Sequence, residues 1–267
     1  MNILIGTGNK HKFQEISIIM NNLKDINLVY ADNIFGITDI IEDGETYQEN
    51  ALIKAEAYYK LLVLSQTINS NSNSNSNSNS NSNSNSNSNS NSNSNSKKNI
   101  NIINNNIDYI ISEDTGLEVK CLNNEPGLYT ARYSHLDNVQ EIKNINLKKN
   151  KPDLINGSDI SNIRMDNINK LLNNMKYKKD CLSNREARFI CWVCVYSVRN
   201  KEYKFFHDEL NGFITEILAG TAGFGYDPVF YVPEFNKTLA ELGGEIKNKI
   251  SHRARAFKKV LDFISKS

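Results

Sequence analysis

Asn2-Ile3-Leu4-Ile5-Gly6-Thr7-Gly8-Asn9-Lys10-His11-Lys12-Phe13 decides the fold class. Ile3 to Ile5 is a short apolar β run, and Gly6-Thr7-Gly8-Asn9 is a glycine-containing turn. Beyond it Phe13, Ile16, Met20 and Leu23 recur at helical spacing, so the chain opens as strand, turn, helix. The alternation continues outward from there. Residues 26–31 read as a second strand and 39–44 as an acidic turn. A helix is predicted from Thr46, with Ala51, Leu52, Ala55, Tyr59 and Leu62 along one side. Residues 107–112 read as a strand ending at Glu113-Asp114-Thr115-Gly116, and 117–121 as a further strand. Residues 187–198, rich in Val, Phe, Trp and Tyr, are the longest β candidate, with 201–207 and 213–218 as its hairpin partners. Residues 220–227 form a glycine-rich loop. Ser251 is placed to cap a last helix that turns Phe257, Val260, Leu261 and Ile264 inward. Interleaved helices and strands with a late meander predict an α/β fold on a mixed sheet.

Residues 69–96 are an unbroken Asn-Ser alternation. With nothing to bury, such a tract cannot offset the entropy of ordering and is expected to be disordered. That insertion spans about 69–98, and a second polar, Asn/Lys-rich insertion about 136–166; both are expected to be dispensable. The remaining roughly 200 residues are the size of one domain, so residues 1–267 read as a single interrupted domain. A net charge of +1 gives no general pull toward nucleic acid or a membrane surface. No apolar run approaches the roughly 20 residues of a membrane span, and the apolar start is too short for a signal peptide. Cys121, Cys181, Cys191 and Cys194 are therefore expected as reduced thiols of a cytosolic chain. Cys191-Trp192-Val193-Cys194 has redox spacing, but mid-strand the two thiols point to opposite faces, which excludes a bridge or shared metal.

Four segments could carry chemistry, each with a plainer alternative. Thr7 to Lys12 join a strand to a helix start, where free N–H groups, Thr7, Asn9 and Lys12 suit a phosphate; otherwise this is a turn with a wet basic face. The spacing of a Walker A loop is absent. Glu113 and Asp114 point to opposite faces of a strand, so one can present a ligand to Mg²⁺ while the other braces the loop. The acidic turn Glu42-Asp43-Gly44-Glu45 offers a second ligand, although either segment could simply be solvated acid. In Gly220 to Pro228, glycines allow close backbone approach while Phe224 and Tyr226 offer flat surfaces and Asp227 a polar edge for a nucleobase; a tight turn with core aromatics is the alternative. Lys247, His252 and Arg253 cluster at the start of the last helix, an anion-seeking position or else a solvated one.

The order of these motifs is more specific than any one of them. Thr7-Gly8-Asn9 with Lys12 is followed by Glu49-Asn50-Ala51 with Lys54, then Glu113-Asp114-Thr115-Gly116-Leu117. Pro126-Gly127-Leu128-Tyr129 with Ala131-Arg132-Tyr133 comes next, then Gly223-Phe224-Gly225-Tyr226-Asp227-Pro228 and Ser251-His252-Arg253. The series resembles the inosine triphosphate pyrophosphatase family over nearly the whole chain apart from the two insertions, and its last two motifs are the most diagnostic. The resemblance implies an elongated mixed sheet with flanking helices, two lobes around a central nucleotide cleft, and a cytoplasmic homodimer. It implies Mg²⁺-dependent hydrolysis of ITP, dITP and XTP to monophosphate and pyrophosphate. By the same resemblance Asp114 is the catalytic carboxylate, binding the metal and helping to activate water, Glu42 a second ligand, and Lys54 catalytic. Thr7, Gly8, Asn9, Lys10, His11 and Lys12 hold the triphosphate, and Thr115 and Arg132 contact substrate. Phe224, Gly225, Tyr226 and Asp227 meet the base, and Lys247, His252 and Arg253 the base and phosphate end. Whether Glu42, Asp43 or Glu45 supplies the second ligand stays open.

Overall fold

The computed structural model describes residues 1–21, 25–36, 38, 40–74, 107–136 and 157–266, with the backbone alone at 68–74 and 157–161. Leu23 and most of both insertions lie outside the described residues. The strands are β1 (Asn2–Gly6), β2 (Asn27–Tyr30), β3 (Tyr109–Val119), β4 (Glu125–Gly127), β5 (Glu186–Ser197), β6 (Glu202–Ile214), β7 (Phe230–Val232) and β8 (Lys237–Thr238). They form one sheet in the order β2-β1-β3-β5-β6-β7-β8, with β4 beside β3. β1 pairs in parallel with β2 and β3, and the other pairs are antiparallel. The helices are α1 (Lys10–Met20), α2 (Ala31–Phe35), α3 (Tyr47–Ser74), α4 (Gly157–Tyr177), α5 (Leu239–Ile250) and α6 (His252–Ile264). The predicted mixed α/β sheet is what forms.

β3 belongs to two cores. Its first half packs between α1 and α6 on one face, through Ile111 with Ile16, Met20, Phe257 and Val260. On the other face Ile110 meets Ala51, Ala55, Tyr58 and Leu62 of α3. From Leu117 onward the strand joins a different cluster, with Phe189, Leu210 and Phe230 and with Ile168, Leu171 and Met175 of α4. Each of these fully buried large side chains contributes about 1.5–3 kcal/mol, so both halves have an apolar core of their own. Between them, residues 113–116 make a polar waist.

Several elements differ from the sequence expectation. β3 does not end at Glu113 but runs through it, because Gly116 lets the Tyr47 ring lie against the strand where any side chain would collide with it. β6 is one long partner of β5, so residues 213–218 are no separate hairpin arm. α3 carries its backbone to Ser74, inside the Asn-Ser alternation. α4 fills the end of the second insertion and buries Asn167 and Ile168 just past it. The expectation of four thiols is also corrected. Cys121 and Cys181 form a disulfide between two short 3-10 turns, with Cα atoms 5.2 Å apart, whereas Cys191 and Cys194 are free and buried in β5.

Candidate functional site at the open edge of β3

β1 pairs with β3 only as far as Gly6 opposite Ser112, and β4 takes over at Leu117. On that edge residues 113–116 have no strand partner among the described residues, while β5 holds the other edge throughout. The gap lies beyond the carboxyl end of β1, where open α/β sheets bind ligands. The chain leaving β1 turns across it. The buried Thr7 accepts the Asn9 N–H at Oγ1 (3.2 Å), and Asn9 caps α1 by accepting the N–H groups of His11 (3.0 Å) and Lys12 (3.2 Å). Two donors that the sequence left free for phosphate are thus occupied by Asn9. Gly8, Lys10 and His11 are exposed around this turn.

Strand alternation sends Glu113 toward α1 and α6 and Asp114 toward α3. Glu113, 2% exposed, accepts Arg253 Nε (3.1 Å) and Nη2 (3.0 Å) and pairs with Lys12 (3.2 Å) through Oε1. Its Oε2 accepts the Thr115 hydroxyl (2.6 Å) and the Cys191 thiol (3.0 Å). Glu15 on α1 bridges Arg253 (2.6 Å) and Lys247 (2.7 Å), and Lys247 also reaches Asp227 (2.6 Å). Asp227 accepts the Phe224 N–H at 2.8 Å. The Phe224 ring lies 4.3 Å from Lys247 Nζ and 5.6 Å from Arg253 Cζ, and stacks on His11 at 5.9 Å. Three cations and three carboxylates from α1, β3, the 220–227 loop, α5 and α6 therefore form one network beside an aromatic face.

Burial opposes charge throughout this network, and the partners decide the outcome. For Glu113, Arg253 and Lys12 overcome burial and hold the carboxyl well below its usual range. For Asp227, burial wins over Lys247 and the carboxyl is raised. Burial and Glu113 push the Cys191 thiol well up, so it is an un-ionised donor. His252 is stacked on Phe189 (4.8 Å) with neither ring nitrogen bonded, and burial beside Arg253 keeps it neutral.

On the other face Asp114 accepts Asn50 Nδ2 at Oδ2 (3.1 Å) and Lys54 Nζ at Oδ1 (3.3 Å). Lys54 also donates to Glu42 (3.0 Å), and both carboxylates raise its pKa against the pull of burial. Asn50 accepts the Gly44 N–H (2.9 Å), which ties the acidic turn to α3. Thr46 and Glu49 cap that helix reciprocally. Glu42 and Asp114 thus converge on one cation, whereas Asp43 and Glu45 are exposed. Two converging hard carboxylates fit Mg²⁺, which typically takes one or two carboxylates plus substrate phosphates and water. Among the described residues no cluster of three or more metal-binding side chains occurs.

The pattern that defines the Ham1 family matches residues 3–72 and 64–263. The chain belongs to the Ham1 family. It is 31% identical to a dITP/XTP pyrophosphatase of Staphylococcus epidermidis over 95% of this chain and 91% of that one. Against a Clostridium perfringens protein of the same name it is 33% identical, over 97% and 95%. The solved Ham1 protein of Staphylococcus aureus superposes with a TM-score of 0.64 at 28% identity, covering 100% of this chain and 99% of that one.

Within this Ham1 chain most of the expected residues meet at the gap, but His252 is buried against Phe189 and three further side chains are turned away from their expected roles. Tyr226 does not offer a flat surface: it is 2% exposed in the α4-side core and its hydroxyl donates to the Thr130 carbonyl (3.1 Å). Arg132, expected to contact substrate, lies over the Tyr129 ring (5.5 Å) with its buried Nε unbonded. The Thr115 hydroxyl is turned to Glu113. Two residues that the sequence reading passed over, and Asn50, quoted there in a motif without a role, are central. Glu15 lies one helical turn past Lys12, a spacing that could have revealed it. Asn50 orients Asp114. Arg164 on α4 donates to the carbonyls of Gly225 (3.0 Å) and Gly223 (3.2 Å), and nothing in its polar surroundings signals that.

Proposed function

We propose that the chain hydrolyses the non-standard purine nucleotides ITP, dITP and XTP to monophosphate and pyrophosphate. The observation that carries this reading is the juxtaposition at one gap of a buried cation network flanking Phe224 and a pair of converging carboxylates. The relatives' name, dITP/XTP pyrophosphatase, points the same way.

Lys12 and the α1 start face the phosphates, and Phe224 offers a ring for the purine to stack on. Lys247 and Arg253 supply donors near that ring. A donor aimed at a 6-oxo group meets another donor in a 6-amino purine, and each buried polar group so stranded costs about 1–3 kcal/mol. Glu42 and Asp114 would hold Mg²⁺, which when bound would neutralise phosphate charge and lower the pKa of a bound water. Asp114 accepts the proton of the attacking water at its carboxylate as that oxygen bonds to the α-phosphorus and the α–β bridging oxygen departs with pyrophosphate. Lys54, paired with Asp114 at 3.3 Å, offers its ammonium to the phosphate oxygens. Asn50 fixes the plane of the Asp114 carboxylate.

A homodimer belongs to the same reading. Leu182 (73% exposed) and Phe213, which line one surface hollow, give a second copy an apolar contact, and light scattering tests it. A cytoplasmic site rests on the resemblance, because the Cys121–Cys181 pairing withdraws the argument from reduced thiols. No helix among the described residues is long and apolar enough to cross a membrane.

The test is pyrophosphate release from ITP, XTP, dUTP and ATP, with and without Mg²⁺, alongside Asp114→Asn. The variant is expected to lose at least about 100-fold in kcat with its melting temperature kept. Near-normal turnover would remove Asp114 from this role, and equal rates on ATP and ITP would end the selectivity argument.

A further inference from the structure

The 220–227 loop lies outside any helix or strand, yet it must hold Phe224 in a fixed attitude to present a ring to a base. Gly223 and Gly225 both have positive φ (75° and 59°) and no side chains to restrain them. The peptide joining Gly223 to Phe224 is gripped at both ends. Its N–H donates to Asp227 (2.8 Å) and its carbonyl accepts Arg164 Nη1 (3.2 Å). Arg164 Nε takes the next exposed carbonyl, that of Gly225, at 3.0 Å. The planar guanidinium thus spans both carbonyls flanking Phe224, a geometry that a single ammonium cannot reproduce.

Arg164 is itself rigidly carried. One turn further along α4, Asn167 accepts the Ser134 N–H (2.7 Å) and donates to the Ala131 carbonyl (3.1 Å). Ile168, Leu171 and Met175 fix the same helix in the core. The helix therefore braces the Arg132 segment with one side chain and the Phe224 loop with another. Arg164 falls within the stretch that the sequence reading set aside as a dispensable polar insertion.

We propose that Arg164 is a positioning residue for the nucleobase: it fixes the 223–224 peptide and hence the Phe224 ring, without touching substrate. This rests on the pyrophosphatase reading above. The experiment compares wild type, Arg164→Ala and Arg164→Lys for ITP hydrolysis, and measures inhibition by inorganic tripolyphosphate, which has no base to stack. Loss of the clamp is expected to raise KM for ITP about tenfold in Arg164→Ala, with kcat within about twofold and the tripolyphosphate Ki unchanged. Arg164→Lys, with a point charge in place of the fork, is expected to recover only part of the KM. An unchanged KM in Arg164→Ala, or a KM and a tripolyphosphate Ki that rise together, would overturn the assignment while leaving the pyrophosphatase reading intact. Wild-type protein that releases no pyrophosphate from ITP would overturn both.

Discussion

Replacing Glu113 by Gln keeps the shape of the side chain and removes the charge at the centre of the network. Lys12 then has no carboxylate at 3.2 Å, and Arg253, 1% exposed, keeps only Glu15. Breaking a buried pair typically costs about 3–5 kcal/mol. Glu15 still faces Arg253, and the amide oxygen of Gln still accepts, so a loss of about 2–4 kcal/mol is expected. For a domain of this size that is a fall in melting temperature of roughly 5–15 °C. The pH dependence is the sharper check. In the folded chain Arg253 and Lys12 hold the Glu113 carboxyl well below its usual 4.5. A carboxyl depressed on folding contributes stability that is fully present above 4.5 and lost as pH falls through the folded value. The gap in melting temperature between wild type and Glu113→Gln should thus be widest at neutral pH and shrink below 4.5. Scanning calorimetry at pH 7, 5, 4 and 3.5 measures it, and the difference cancels the carboxylates common to both proteins. A variant as stable as wild type at pH 7, or a gap that persists unchanged into acid, would refute the electrostatic account of this cluster.

Gly116→Ala drives a methyl into the Tyr47 ring, and overpacking of this kind costs about 1–3 kcal/mol; urea unfolding should show the loss, and Tyr47→Ala in the same chain should relieve part of it. Equal midpoints for Gly116→Ala and wild type would show that the ring gives way freely. His252 is held neutral, with its pKa pushed well below 6.5 by burial first and Arg253 second. Its contribution is complete above 6.5 and is lost as pH falls from there toward the folded value, so His252→Gln should flatten the stability curve between pH 7 and 5, and an unaltered slope would count against burial of a neutral ring. Thiol titration of the denatured, unreduced chain should find two reactive groups, Cys191 and Cys194, rising to four after reduction. Four without reductant would dissolve the Cys121–Cys181 link.

What the sequence made legible was local. The strand–turn–helix at the N-terminus and the Ser251 cap, which accepts the Ala254 N–H at 3.1 Å, depend on neighbours a few residues away. The acids at 113 and 114 beside Gly116 read as a strand end, whereas a charge inside a strand is tolerated when it is paired. The partner of Glu113, Arg253, is 140 residues distant, and no periodicity reports on that separation. Tyr226 looked like a base platform because its motif places it beside Phe224, whereas the turn of the loop sends its ring into the core and its hydroxyl to Thr130. The Cys121–Cys181 pairing joins two short turns 60 residues apart across an insertion, a distance over which spacing alone selects no partner. Asn9 caps α1 through Oδ1, accepting the His11 and Lys12 N–H groups, the common use of that residue at a helix start.

The unbroken register of β3 on β5, from Tyr109 opposite Ser197 to Val119 opposite Ala187, has a consequence for how this molecule can vary. A slip of one residue would swap which layer each acid faces, delivering Asp114 to Arg253 and Glu113 to Lys54. Each acid would still meet a cation, but at the wrong side-chain length and without its present hydrogen-bond partners, while the apolar residues on either side turned inside out. Single-residue insertions or deletions in these two strands should therefore abolish folding and activity together, whereas the chain between α3 and β3 can lengthen without shifting a single pair in that ladder.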